Sequence, residues 1–317
     1  MAKPTACEGN PKGRQMRTGY GARRRISAAA AVGASTVALV LGQLTTAAAE
    51  PAAKRAPVAE ATAVAAPNGL DRPDHAMGSQ IAEHEGSGGP SGQATTFAAG
   101  AGPATRFADA QTPGLDVSHW QGRVNWPGVA RMGARFAYVK ATEGTGYRDP
   151  TFSYQYNGSF RAGLLRGAYH FALPHVSTGT AQANYFVNHG GAWSRDGRTL
   201  PGALDIEYNP YGKTCYGKSK VQMANWIKGF SRQYQKRTGR WPVIYTSANW
   251  WALCVGTAYS FHRTSPLWIA RYNSYIGGLP FDWPVHTIWQ FNNAGRFPGD
   301  QNRFNGTLAR VRALARG

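Results

Sequence analysis

PGALDIEYNP (201–210) is an apolar run between two prolines, and Asp205 and Glu207 interrupt it one residue apart. It reads as a buried strand. KVQMANWIKGFSRQYQKRTG (220–239) follows it and is the longest amphipathic segment of the chain. A short apolar run followed by helical periodicity is a β/α unit, and the same alternation continues on both sides. Upstream strands are GLDVSHW (114–120), RFAYVKATEG (135–144) and RGAYHFALP (166–174). Between them PGVARMGA (127–134), FSYQYNGSFRAGLL (152–165) and TAQANYFVNHG (180–190) read as helices. Downstream come WPVIYTS (241–247), PLWIARYN (266–273) and VHTIWQFN (285–292), with little room for helices among them. The pattern predicts an α/β fold, a distorted or incomplete (β/α)8 barrel of TIM-barrel type with few or short helices in its C-terminal part. Its active face should be the C-terminal ends of the strands.

The two acids matter because acids are scarce. From residue 111 to 317 the chain has 24 Lys and Arg against eight Asp and Glu, a net charge of +16. Four of those eight, Asp116, Asp205, Glu207 and Asp300, fall at or just beyond expected strand ends. At i and i+2 on a strand, Asp205 and Glu207 project from one face, roughly 6 to 7 Å apart. Apolar surroundings and mutual repulsion should then keep one of them protonated. One neutral and one ionised carboxyl is the arrangement that glycoside hydrolysis uses. Asp116 also suits a capping role, and Asp300 in GDQNRFNG reads most simply as a turn residue. Aromatic side chains accompany the acids along the expected strand ends, as a cleft that stacks on sugar rings would require. Tyr147, Tyr169, His170, Tyr208, Tyr245 and Trp268, with Gln290, form the expected substrate-binding set. No G-x-G-x-x-G follows the first strand and no P-loop occurs, so a nucleotide enzyme is disfavoured, and no internal repeat is evident.

The first 110 residues differ in kind. A basic stretch ending in ARRR (22–25), a charge-free run ISAAAAVGASTVALVLGQL (26–44) and the small residues TTAAAE (45–50) form a secretory signal over residues 1–49, of the Sec or twin-arginine type. Residues 50–110 are rich in Ala, Gly, Pro, Ser and Thr and read as a low-complexity pro-segment or linker. One island within them, MGSQIAEHEG (77–86), has weak helical character, and it is expected to stay outside the main core. With Cys7 removed alongside the signal, Cys215 and Cys254 are left as a disulfide pair, which agrees with export. Two lone cysteines without paired His make no zinc site, so neither metal nor cofactor is expected.

At the quoted acids and strands the sequence resembles the glycoside hydrolase family 25 muramidases. The matching segments are GLDVSHWQG, FAYVKATEG, GAYHF, ALDIE, PVIYTS, LWIARY, IWQF and GDQNRFNG, in the family's order across 114–306. The resemblance implies a modified, flattened β/α barrel over residues 111–317. It implies hydrolysis of the β-1,4 bond between N-acetylmuramic acid and N-acetylglucosamine in peptidoglycan. Glu207 would be the general acid and base, and Asp205 the partner that attacks the anomeric carbon or orients the substrate's acetamido group. Asp116 and Asp300 would line the same cleft, which replaces the turn reading of Asp300. The expected protein is a secreted or wall-associated monomer. Its basic surface would bind anionic wall polymers in place of a separate wall-binding module, with no specific nucleic acid and no membrane once the signal is gone. Rival readings are a non-catalytic wall-binding protein and a chitinase-like amino-sugar hydrolase.

Overall fold

A computed structural model describes residues 75–87 and 111–317. The expected signal over 1–49 and most of the expected linker lie outside them. Nine strands form one sheet: β1 (Thr112–Val117), β2 (Phe136–Glu143), β3 (Tyr147–Arg148), β4 (Leu165–Phe171), β5 (Ala203–Asp205), β6 (Val243–Ser247), β7 (Leu267–Ala270), β8 (Ile288–Asn292) and β9 (Asp300–Phe304). Their order is β1-β9-β8-β7-β6-β5-β4-β2-β3, and β1 also pairs with β2, so eight strands close a barrel and β3 hangs on its edge as a hairpin to β2. Seven barrel strands run parallel, while β9 is antiparallel to both β8 and β1. Closure through an eighth strand was hidden in the sequence, because GDQNRFNG is short and polar.

The helices are α1 (Ser79–Glu85), α2 (Trp126–Arg131), α3 (Phe152–Arg161), α4 (Gly179–Phe186), α5 (Lys220–Thr238), α6 (Ala248–Cys254) and α7 (Leu308–Arg316). Local chemistry sets their ends. Ser219 and Gln222 form a reciprocal capping box that starts α5, and Gly239, at φ 75°, ends it. Among the described residues, no helix lies between β7 and β8.

Every residue of β2 is buried, because helices cover its outer face and large side chains fill the barrel inside. That filling is aromatic: the Trp268 ring lies 4.8 Å from Tyr138 and 5.3 Å from Tyr245. Gly167 makes room for it, since a Cβ there would strike the Tyr138 ring. Cys215 and Cys254 are bonded, with Cα atoms 5.2 Å apart, tying the loop after β5 to the end of α6.

The island at 77–86 departs from expectation. Met77 and Ile81 belong to the main core, each with 1% of its surface exposed. Its polarity misleads because few of its side chains face inward, and those few enter a cleft that the barrel leaves open.

Candidate active site

The C-terminal ends of the parallel strands gather the acids. Asp116 lies near the end of β1, and Asp205 ends β5. Asp300 begins β9, and because β9 runs antiparallel its first residue reaches the same face, in register with Asp116. Glu207 stands past the end of β5, where the chain still follows β6 through a hydrogen bond from the Ile206 amide to the Tyr245 carbonyl, 3.0 Å. The expected strand over this stretch is therefore shorter than its apolar run.

Asp205 and Glu207 have no exposed surface. Among the described residues no amide or hydroxyl donates to either oxygen of Asp205, whose side chain interacts with that of Glu207. Burial, and next the neighbouring Glu207 charge, push its carboxyl well above the usual range. Burial also raises Glu207, opposed by the amides of Gly78 and Ile81, which donate to Oε1 and Oε2 at 2.8 Å each. Asp300 is raised by burial and then by Asp116 and Glu207. Asp116 is raised by burial, against two donors to its Oδ2: Gln290 Nε2 at 2.9 Å and Asn302 Nδ2 at 2.6 Å. Four acids that resist ionisation gather at this end of the barrel, and the charge of Glu207 or Asp116 disfavours ionisation of Asp205 and Asp300.

A polar frame orients Asp116. Gln290 Oε1 accepts from the Tyr245 hydroxyl at 2.6 Å and lies 2.8 Å from that of Tyr272. Asn302 Oδ1 accepts from Trp268 Nε1 at 2.9 Å. With both amide oxygens committed as acceptors, both NH2 groups are left to face Asp116. Asn302 and Tyr272 were missed in the sequence reading, although both sit in matched segments. Lys140 and Glu143 were missed as well. A register shift in β2 between Lys140 and Thr142 turns the two onto one face, and Lys140 Nζ meets Glu143 Oε2 at 2.6 Å. Burial would raise Glu143, but Lys140 overrides it and holds the carboxyl at about 2.

The expected substrate contacts divide. Tyr169, Tyr245 and Gln290 surround the acids, and Trp268 supports them from within the barrel. Tyr208 lies at the mouth, with its hydroxyl on Glu85 Oε1 at 3.0 Å, and Tyr147 lies near Lys140, whose Nζ is 5.0 Å from its ring. His170 is elsewhere: it points to the helix layer, with its ring 5.6 Å from Phe186 and 5.4 Å from Phe230. Strand alternation explains this, since Tyr169 and Phe171 face one side and His170 the other.

Residues 75–87 cover the acids. Besides the two amide bonds to Glu207, the Met77 amide donates to the Tyr169 hydroxyl at 3.2 Å. The His84 ring stacks on Tyr208 at 4.3 Å. A surface hollow of about 560 Å³ beside α2, lined by Asn125, Arg131, Met132 and Arg296 among others, touches none of the acids. Among the described residues, no group of three or more His, Cys, Asp or Glu is placed to hold a metal ion.

A sequence profile described as glycosyl hydrolases family 25 matches residues 115–300. Lysozyme M1 of Streptomyces globisporus is 50% identical over 225 residues, covering 68% of this chain and 76% of its own. The N,O-diacetylmuramidase of Chalaropsis sp is 47% identical over 208 residues, covering 64% of this chain and 99% of its own. Among solved structures, a family GH25 lysozyme from Aspergillus fumigatus superposes with a TM-score of 0.65 at 49% identity, over 66% of this chain and 100% of its own.

Proposed function

The chain belongs to the glycosyl hydrolases of family 25, and on that footing we propose that it is a secreted lysozyme. Its reaction is hydrolysis of the β-1,4 bond between N-acetylmuramic acid and N-acetylglucosamine in peptidoglycan, with Glu207 as general acid and base. The observation that carries this reading is the pair of buried carboxyls, Asp205 and Glu207, raised together at the open end of the barrel.

Glu207, protonated, gives its proton to the glycosidic oxygen as the bond to the anomeric carbon breaks. The substrate's acetamido oxygen closes on that carbon, and ionised Asp205 accepts a hydrogen bond from the acetamido N–H, whose positive charge it offsets. Water then adds to the anomeric carbon, returns a proton to Glu207 and reopens the ring with retained configuration. Asp205 keeps acceptor capacity free for the acetamido N–H, and that unclaimed acceptor supports the orienting role. Asp116, fixed by Gln290 and Asn302, and Asp300 tune the protonation of the pair. The disulfide and the signal-like residues 1–49 support export. The +16 charge of residues 111–317 supplies attraction to anionic wall polymers.

Mass spectrometry of borohydride-reduced products from purified peptidoglycan, digested by residues 111–317, tests the reading. New reducing ends should lie on muramic acid, and Glu207→Gln should cut turnover about 10²- to 10⁴-fold without loss of fold. Reducing ends on glucosamine, or preferential cleavage of chitin oligomers, would refute the assignment. A covalent Asp205 adduct with a fluorinated substrate would instead make Asp205 the nucleophile.

A further inference from the structure

Residues 75–87 precede the region that the family profile matches, 115–300, yet they occupy its acids. Glu207 spends both oxygens on them, accepting from Gly78 and Ile81. At one end of the segment the His75 amide donates to Glu143 Oε2 at 3.0 Å, and the His75 carbonyl accepts from Lys140 Nζ. At the other end Glu85 is gripped by the hydroxyls of Tyr208 and Ser247 and by Asn249 Nδ2, the last at 2.9 Å. Between these polar ends Met77 and Ile81 fill the apolar depth. The fit is closest at Gly78, which adopts φ 78°, and a Cβ there would overlap the hydroxyls of Tyr272 and Tyr245. Only glycine passes at that point, so sequence and cleft are matched to each other.

We propose that residues 75–87 are an intramolecular inhibitor, a helical plug that excludes the glycan from the cleft and keeps the chain latent until the segment is withdrawn. The inference rests on the assignment of Glu207 as the reacting acid. A glycan must touch Asp205 and Glu207, and with the segment in place neither has accessible surface. The block is also chemical: both Glu207 oxygens accept from the plug's amides, so neither is free to meet a glycosidic oxygen. The plug belongs to the same chain as the cleft, so it competes intramolecularly and a polymeric substrate must displace it. The A. fumigatus lysozyme is matched over 100% of its length by 66% of this chain, about the extent of residues 111–317 alone, which supports a barrel that folds without the plug.

The test compares the full chain with two full-chain variants, Gly78→Val and Ile81→Asp, neither of which alters the barrel. Titration with an S-linked, non-hydrolysable tetrasaccharide of alternating N-acetylglucosamine and N-acetylmuramic acid measures access to the cleft. Clearing of purified peptidoglycan measures turnover. Both variants should bind the tetrasaccharide at least about tenfold more tightly than wild type, the equivalent of losing one or two contacts of the plug, and clear walls faster by a similar factor. Equal affinity in wild type and both variants overturns the plug, whatever the turnover. Tighter binding in the variants with no clearing by any chain upholds the plug and sinks the muramidase reading. Hydrogen exchange of residues 76–82 adds a readout independent of both. It should be slow in wild type and fast in the variants, and fast exchange in wild type also overturns the proposal.

Discussion

Replacing His170 by Gln should change the pH dependence of stability in a way that can be worked out from contacts. Gln182 donates from Nε2 to the Leu173 carbonyl at 2.7 Å, and its Oε1 accepts from the Leu173 amide at 3.1 Å. Oε1 can therefore only accept from the imidazole, so His170 Nε2, 2.9 Å away, carries the ring proton. Nδ1 then accepts from the Thr142 hydroxyl at 2.8 Å, and the neutral ring is fully satisfied. Burial pushes its pKa from 6.5 down to about 4, while Gln182 and Glu143 pull it up and Lys140 pushes it down. The unfolded chain takes up a proton near pH 6.5 that the folded chain refuses until about pH 4, so the unfolded state binds more protons in that window. Stability from this group is complete above pH 6.5 and is lost as pH falls toward 4, by about 3 kcal/mol for a pKa that falls from 6.5 to about 4. For a domain of this size that is a fall of roughly 10 °C in Tm. Asp116, Asp205, Glu207 and Asp300, whose raised carboxyls lose stability as pH rises, bend the curve the other way in both proteins alike. The difference between wild type and His170→Gln therefore isolates the histidine. Paired calorimetric melts from about pH 4 to pH 7.5 measure it, and the stability advantage of wild type should shrink steadily on acidification. A gap that stays constant to within about 1 kcal/mol would refute a buried neutral imidazole.

Cys215→Ser opens a loop with a sequence separation of 39 and should cost about 4 kcal/mol on the loop-entropy account. The two proteins should melt together once reductant is added, and coincident melting without reductant would show that the bridge contributes nothing. Asn302→Ala removes one of two donors to Asp116 and strands the Trp268 indole N–H, so stability should fall by about 1 to 3 kcal/mol. Its kcat should fall more than its KM changes, because the fault lies in protonation of the acids; an unchanged pH–rate profile would contradict that. With a net charge of +16 over residues 111–317, clearing of whole walls should slow as salt screens the charge. Cleavage of a short glycan should not slow, and equal salt sensitivity of both would remove the electrostatic argument.

How far the site could be read depended on whether its residues signal locally. Asp205 and Glu207 stood out because a carboxylate in an apolar run is costly and demands a reason. Asp116 and Asp300 were ambiguous as residues, since an acid at a strand end caps and turns as readily as it reacts, and only the family resemblance separated the two. Lys140 with Glu143 could not be paired from spacing, because strand alternation sets them on opposite faces and it takes a shift of register to reverse that. His170 looked like a cleft residue because its neighbours are, yet odd and even positions of β4 face different layers.

The sequence by itself determined the order of the seven parallel strands and of helices α2 to α5, the contrast in composition between residues 1–110 and the aromatic-rich remainder, the disulfide and the central acid pair. Those features are written in period, composition and single unusual residues, which short-range chemistry reads directly. Tertiary structure alone decided that β9 closes the barrel and brings Asp300 beside Asp116, that Gln290 and Asn302 aim their amides at Asp116, and that residues 75–87 lie on Glu207. Each of these joins partners more than 100 positions apart in the chain. Their fit depends on shape and on which hydrogen bonds remain unclaimed, and neither leaves a periodic trace in the amino-acid order.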